Sequence, residues 1–162
     1  MYGPTNALRD DSSCWNSEGG GGGGGGGGDD DDDDNGHWFR LDFGRHVQPT
    51  VVSLQFQAGF CAQQGRIEYC RTESGGMNDD NGAWASATED KDGDDDGVEW
   101  DDVHEVQVVP LRKDIQSCTS LRLVLKDYTD FYGRVILYQV QVWGKEVGTA
   151  TGTTTTTITK TS

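Results

Sequence analysis

The chain has 162 residues, a third of them hydrophobic, and a formal charge of −15, which leaves room for one modest core and hardly for two. The sequence carries no stripe of Lys and Arg to neutralise phosphates, so nucleic acid is excluded as a partner. No basic start runs into an apolar stretch at Met1, and nothing approaches the ~18 apolar residues of a membrane span.

The N-terminal stretch "MYGPTNALRDDSSCW" leads into ten glycines (Gly19–Gly28) and six aspartates (Asp29–Asp34). Such a block repels itself and has no apolar surface to bury, so residues 19–36 are expected to be a solvated, disordered insert. Lengthening a loop to this extent costs on the order of 1–1.5 kcal/mol, which a folded domain tolerates. The glycines contain G-x-G-x-x-G trivially, but no strand precedes them and no helix follows.

After the insert, period-two alternation recurs. Strands are expected at "HWFRLDF" (37–43), at "VVSLQFQA" (51–58) with Val52, Leu54 and Phe56 on one face, and at "GRIEYCR" (65–71). A second acidic insert follows at 75–97, with eight acids against Lys91, and it too is expected to be disordered. Setting both inserts aside leaves the remainder nearly neutral. Further strands are expected at 103–110, at "SLRLVLKD" (120–127) with Leu121, Leu123 and Leu125 on one face, and at 134–144 with Ile136, Tyr138, Val140 and Val142 sharing a face. Pro49 and Pro110 punctuate the runs, and no segment has capped helical spacing. The threonine-rich residues 147–162 read as a disordered tail. Residues 1–146 thus read as one all-β domain, an antiparallel sandwich or jelly roll.

Two stretches imitate a calcium loop. Asp92, Asp94, Asp96 and Gly97 hold positions 1, 3, 5 and 6 of an EF-hand, but the twelfth is Val103 and no helices flank it; the partial match from Asp31 ends at Asp42 inside an expected strand. Cys14, Cys61, Cys70 and Cys118 fit no zinc spacing with His37, His46 and His104, and read as free thiols. No metal or cofactor is expected, and no catalytic signature is present, so the chain is not expected to be an enzyme.

Taken together, "ALRDDSSCWNSEG", "HWFRLDFG", "VVSLQFQAGF", "GRIE" and above all "LKDYTDFYGRVILYQVQVWG" resemble the nuclear receptor 2C2-associated protein family, over residues 5–146 apart from the inserts. That family is a single discoidin-like domain (coagulation-factor type C) with the galactose-binding jelly-roll fold. The resemblance implies a non-enzymatic protein-interaction module in the nucleus or cytoplasm, an adaptor that represses a nuclear receptor's transcriptional activity. The alternative is a domain with weak binding of carbohydrate or phospholipid. Family members carry about one further strand before the segment matching Ala7, so either the first strand is absent or the start lies upstream of Met1. The calcium-holding aspartate of sugar-binding relatives is missing near Leu8, with only Asp10 and Asp11 close by. The cysteines that staple secreted members are missing too, which fits an intracellular address.

Within "TDFYGRV" (129–135), Phe131, Tyr132 and Arg134 are candidates for a ligand or partner surface. The structural reading, which is preferred, has Gly133 forming a tight turn, the aromatics capping the core and Arg134 pairing with Asp10 or Asp11. Phe60 is expected to project from the loop after the second strand. Trp15 is assigned to the core, whereas Trp84 and Trp100 are read as incidental to the acidic insert.

Overall fold

A computed structural model of the chain describes residues 3–17, 36–71, 84–89 and 97–148. Eight strands occur among them: β1 (Trp15–Asn16), β2 (His37–Phe56), β3 (Ala62–Arg71), β4 (Trp84–Ser86), β5 (Val98–Glu99), β6 (Gln107–Pro110), β7 (Cys118–Tyr128) and β8 (Ile136–Glu146). All pairings are antiparallel, in the order β1-β8-β2-β7-β3-β4, with β5 also on β3 and β6 also on β2. The antiparallel all-β architecture read from the alternation is the one observed.

The 20-residue β2 organises the molecule. In its first half Phe39, Leu41 and Phe43 face inward and the strand pairs with β7. At Gly44, where φ is +64°, the register on β7 jumps from Asp42 opposite Ser120 to Val47 opposite Cys118, while odd positions stay inward through Val47 and Pro49 and the parity changes only between Pro49 and Val52. The second half lies between β8 and β6, with Val52, Leu54 and Phe56 inward. Such a bent strand turns the corner from one layer of a sandwich to the other. The two strands expected at 37–43 and 51–58 are therefore one, and Pro49 does not divide them. Proline lacks the ladder N–H and survives inside a strand at an irregularity; here the register on β8 shifts between Pro49 and Val51. Opposite it, a Cβ on Gly144 would strike the Gln48 carbonyl and come 2.7 Å from Pro49 Cα, so only glycine admits this approach.

In β8 the expected face holds at Val140 and Val142 and fails at Ile136 and Tyr138, on the far side of a bulge. Gln55 pairs with Gln139 but Phe56 pairs with Leu137, so Tyr138 is the extra residue and turns outward. The inward set is Leu137, Val140 and Val142. These side chains meet Leu121, Leu123 and Leu125 of β7, Ile67 of β3 and Val109 of β6 in one buried core.

The stretch 75–97 is not wholly an insert. Trp84–Ser86 pairs with Cys70–Glu68, and Ala87, fully buried, donates its N–H to Ile67 O at 2.7 Å and accepts from Arg112 N at 2.8 Å. The apolar "WASA" satisfies the open edge of β3, which outweighs the charge of its neighbours. Trp84 is held rather than incidental: the guanidinium of Arg122 lies 4.7 Å from its ring centre and that of Arg40 5.6 Å, with Arg122 clamped on Glu68 at 2.7 Å. Trp100 is a core residue, 4 % exposed, edge-on to Phe56 at 5.9 Å. The expectations for 19–35, 75–83, 90–96 and 149–162 fall outside the described residues. Pro4–Leu8 forms a short 3-10 helix, with Ala7 buried against the core; Trp15 packs on the same core, edge to face with Phe39 at 5.3 Å. All four cysteines are free.

Candidate functional site

Two connections meet at one end of the sandwich: 57–61, between β2 and β3, and 129–135, between β7 and β8. They are sewn together by backbone. Gln57 N reaches Ile136 O (3.0 Å), Ile136 N reaches Phe60 O (3.0 Å), and Thr129 N reaches Cys61 O (2.9 Å). The Thr129 hydroxyl accepts from Cys61 N at 2.9 Å. The same loop receives Ser17, whose hydroxyl accepts from Val135 N at 2.8 Å, and the ring Nε2 of His37 lies 2.7 Å from Gly133 O.

Asp130 builds the turn. Its Oδ2 accepts from the backbone N–H groups of Tyr132 and Arg134, both at 3.1 Å, an aspartate turn that specifies the next residues. Gly133 closes it with φ +71° and an N–H to Asp130 O at 3.0 Å. Arg134 then returns a two-pronged ion pair, Nε to Oδ2 at 2.9 Å and Nη2 to Oδ1 at 3.1 Å. The Arg134 hydrogen bond is the main reason the Asp130 carboxyl is held down at about 2.

Phe60, Phe131, Tyr132 and Arg134 are brought together. The Arg134 guanidinium lies 5.1 Å from the Phe60 ring centre and 5.4 Å from that of Tyr132, and Tyr132 meets Phe131 edge-on at 5.3 Å. Two parts of the structural reading fail. Arg134 pairs with Asp130, four residues away, and not with Asp10 or Asp11, because the turn delivers a carboxylate first. Nor do the aromatics cap the core: Phe131 is 89 % exposed and Tyr132 67 %. Gly133 does form the tight turn. Trp38, 62 % exposed on β2, is a further uncovered ring.

Asp10 and Asp11 lie elsewhere, in an open cleft of about 450 Å³ lined also by Ser12, Gln55, His104, Tyr138 and Gln139. His104 Nδ1 lies 2.7 Å from Phe56 O, its ring meets Tyr138 edge-on at 5.0 Å, and its carbonyl accepts from Gln55 Nε2 at 2.7 Å. Asp102, two residues earlier, accepts from Gly59 N at 2.7 Å and so ties the cleft wall to the loop end. Sequence reading missed Asp102, His104, Tyr138 and Asp130. Only Asp130 left a signal, in the run Asp130-x-x-Gly133-Arg134.

The chemistry of the thiols is blunted. Burial pushes Cys61 up to about 12, with Asp102 adding to it, and burial does the same to Cys118, which makes both poor nucleophiles. The Ser117 hydroxyl lies 3.1 Å from His46 Nδ1, but His46 Nε2 meets no carboxylate among the described residues, so no third group orients the ring. Among the described residues no group of three or more His, Cys, Asp or Glu is placed to hold a metal, and no helix is long and apolar enough to cross a membrane.

No protein-family model matches the sequence. Whole-chain comparison finds proteins named nuclear receptor 2C2-associated protein: from Bos taurus, 27 % identical over 140 residues, covering 85 % of this chain and 76 % of the relative; from Danio rerio, 26 % over 137 residues, 85 % and 75 %; and from Homo sapiens, 24 % over 141 residues, 86 % and 77 %. These are the homologues that the motifs indicated. Among solved structures, a chitosan-binding module of a Paenibacillus sp. IK-5 chitosanase/glucanase, in complex with chitotriose, superposes with a TM-score of 0.57 at 12 % identity over 88 % of this chain and 87 % of its own. The family 32 carbohydrate-binding module of Clostridium perfringens NanJ, in complex with galactose, gives 0.57 at 10 % identity over 86 % and 82 %. The fold is therefore the galactose-binding-like β-sandwich, and both sets of similar proteins are binding modules or associated proteins by name.

Proposed function

We propose, from the similarity to the nuclear receptor 2C2-associated proteins, that this chain is a non-enzymatic adaptor of the nucleus or cytoplasm that binds a protein partner through its loop end and acts on transcription through it. The partner is a nuclear receptor where one is present; otherwise the binding role alone carries over, since a fold does not fix a function. The observation that carries the reading is Phe131, 89 % exposed on a turn that Asp130 holds through four hydrogen bonds. An aromatic ring held in water on a rigid turn is an anchor that loses little freedom on docking. Arg134 is spent internally on Asp130 and two rings, so the surface it supports is aromatic rather than cationic.

A second reading, carbohydrate or phospholipid binding, is favoured by the fold neighbours solved with chitotriose and galactose. Affinity capture from nuclear extract, with the full chain and its Phe131→Ala/Tyr132→Ala double variant as baits, tests the first reading: a receptor-class protein retained by the former and lost by the latter supports it. A glycan array and liposome sedimentation test the second. Reproducible glycan binding abolished by Phe60→Ala would replace the first reading.

A further inference from the structure

One side of β6 is open. Among the described residues Gln107–Pro110 pairs with Val51–Leu54 of β2 and with no other strand, so the backbone groups on its far side have no ladder. Natural edges are blunted by lysine, a bulge or proline. Here only Pro110 does so, at the last position, while Val106 and Val108 stand exposed, Val108 by 61 %. Val109 turns into the core, and alternation therefore puts Val108 and Pro110 on the outer face. The face continues across the sheet without a charge: Pro110 stands beside Val51 and Val51 beside Trp143, itself exposed, and Val108 stands beside Ser53 and Ser53 beside Gln141. The chain as a whole carries a formal charge of −15.

We propose that β6 receives an extended segment of the protein partner, which joins the sheet as a further strand. An edge that offers N–H and C=O groups in alternation is complemented by the main chain of another strand, whose helical alternative has both groups already paired. The outward residues of the added strand lie beside Val106 and Val108, so apolar side chains at every second position suit it. A second copy of this chain fits less well. Positions 106–110 run about 17 Å, and the strip from β6 to β8 is about 15 Å wide, roughly 250 Å² against the ~800 Å² per partner of a stable pair. Two chains of −15 also repel each other. A neutral or basic segment is complementary to the lead-in of β6, where Asp101, Asp102 and Glu105 are exposed. Asp102 holds Gly59 N, which puts the start of β6 next to the loop end that carries Phe131. Only the source of the strand rests on the protein-partner reading.

The test is a titration of the ¹⁵N-labelled full chain, followed residue by residue by NMR. The probes are acetyl-Lys-Val-Thr-Val-Thr-Val-Lys-amide and the same peptide N-methylated at its three valines, which keeps the side chains and removes the main-chain donors. Saturable shifts at the amides of Val106, Val108 and Val109 are expected with the first peptide and none with the second. A Val106→Lys/Val108→Lys double variant, altered only at exposed positions, is expected to melt with the parent and to bind the first peptide at least tenfold more weakly. No saturable shift at millimolar peptide, shifts confined to residues away from β6, or equal binding of the N-methylated peptide overturns the proposal. Sedimentation equilibrium of the parent and the double variant covers the other occupant: a dimer formed by the parent and lost in the variant would make this edge a self-contact and overturn it too. The capture experiment fails or succeeds on Phe131 and Tyr132 instead, so the two readings fail separately.

Discussion

Replacing Phe131 by alanine separates an anchor from a core cap. With 89 % of the residue exposed, about a tenth of a ring area of ~200 Å² is covered, which at ~25 cal/mol/Å² is about 0.5 kcal/mol. Its edge-on contact with Tyr132 at 5.3 Å adds a comparable amount. Phe131→Ala is thus expected to cost at most about 1 kcal/mol, a shift of a few degrees in Tm for a domain of this size. The comparison is Phe56→Ala, where a ring 0 % exposed and packed on Trp100 is lost; there about 3–5 kcal/mol is expected. Urea and thermal unfolding of both variants, followed by circular dichroism, give the two numbers. A Phe131→Ala cost above about 2 kcal/mol would mean that the ring caps the core in solution and would refute the argument from exposure.

Further outcomes follow from the packing and the electrostatics. Gly65→Ala puts a Cβ against the Val124 carbonyl and 2.7 Å from the Trp100 ring, neither free to yield, so a loss of about 2–3 kcal/mol in urea unfolding is expected. Asp130 is depressed from 3.8 to about 2, so what it contributes to the turn is complete above about pH 4 and is lost as the pH falls through 2. The amides of Tyr132 and Arg134 should show that step by NMR, and Asp130→Asn should remove it. Iodoacetamide at pH 8 should label Cys14 and Cys70, both half-buried, well before Cys61 and Cys118; early labelling of Cys61 would contradict its burial.

The strands that alternate without interruption, such as Leu121, Leu123 and Leu125, could be read from the chain because side-chain direction follows sequence parity while the ladder is regular. The errors sit where parity is broken. Tyr138 is displaced by a bulge that depends on pairing with β2, and β2 changes parity between Pro49 and Val52 without ending. β4 was hidden because its three residues draw their pairing from β3 and not from their own pattern, and the acids around them masked "WASA". At the loop end, the four side chains could be named from their motif, but not their environment. Whether Phe131 faces water depends on where Asp130 points, and Arg134 had acids both near and far in sequence to choose between. The cleft was invisible for a related reason: Asp10, His104 and Tyr138 come from three separate elements.

The continuity of β2 through both layers also constrains folding errors. A slip of one residue along its partners would turn Phe39, Leu41 and Phe43 toward water and, in the same movement, expel Val52, Leu54 and Phe56 from the opposite wall. One half could keep its interior while the other slipped only if the irregularities at 42–47 and 49–51 changed to absorb the step. The corner of the sandwich is thus also the joint at which the two interiors are kept in step.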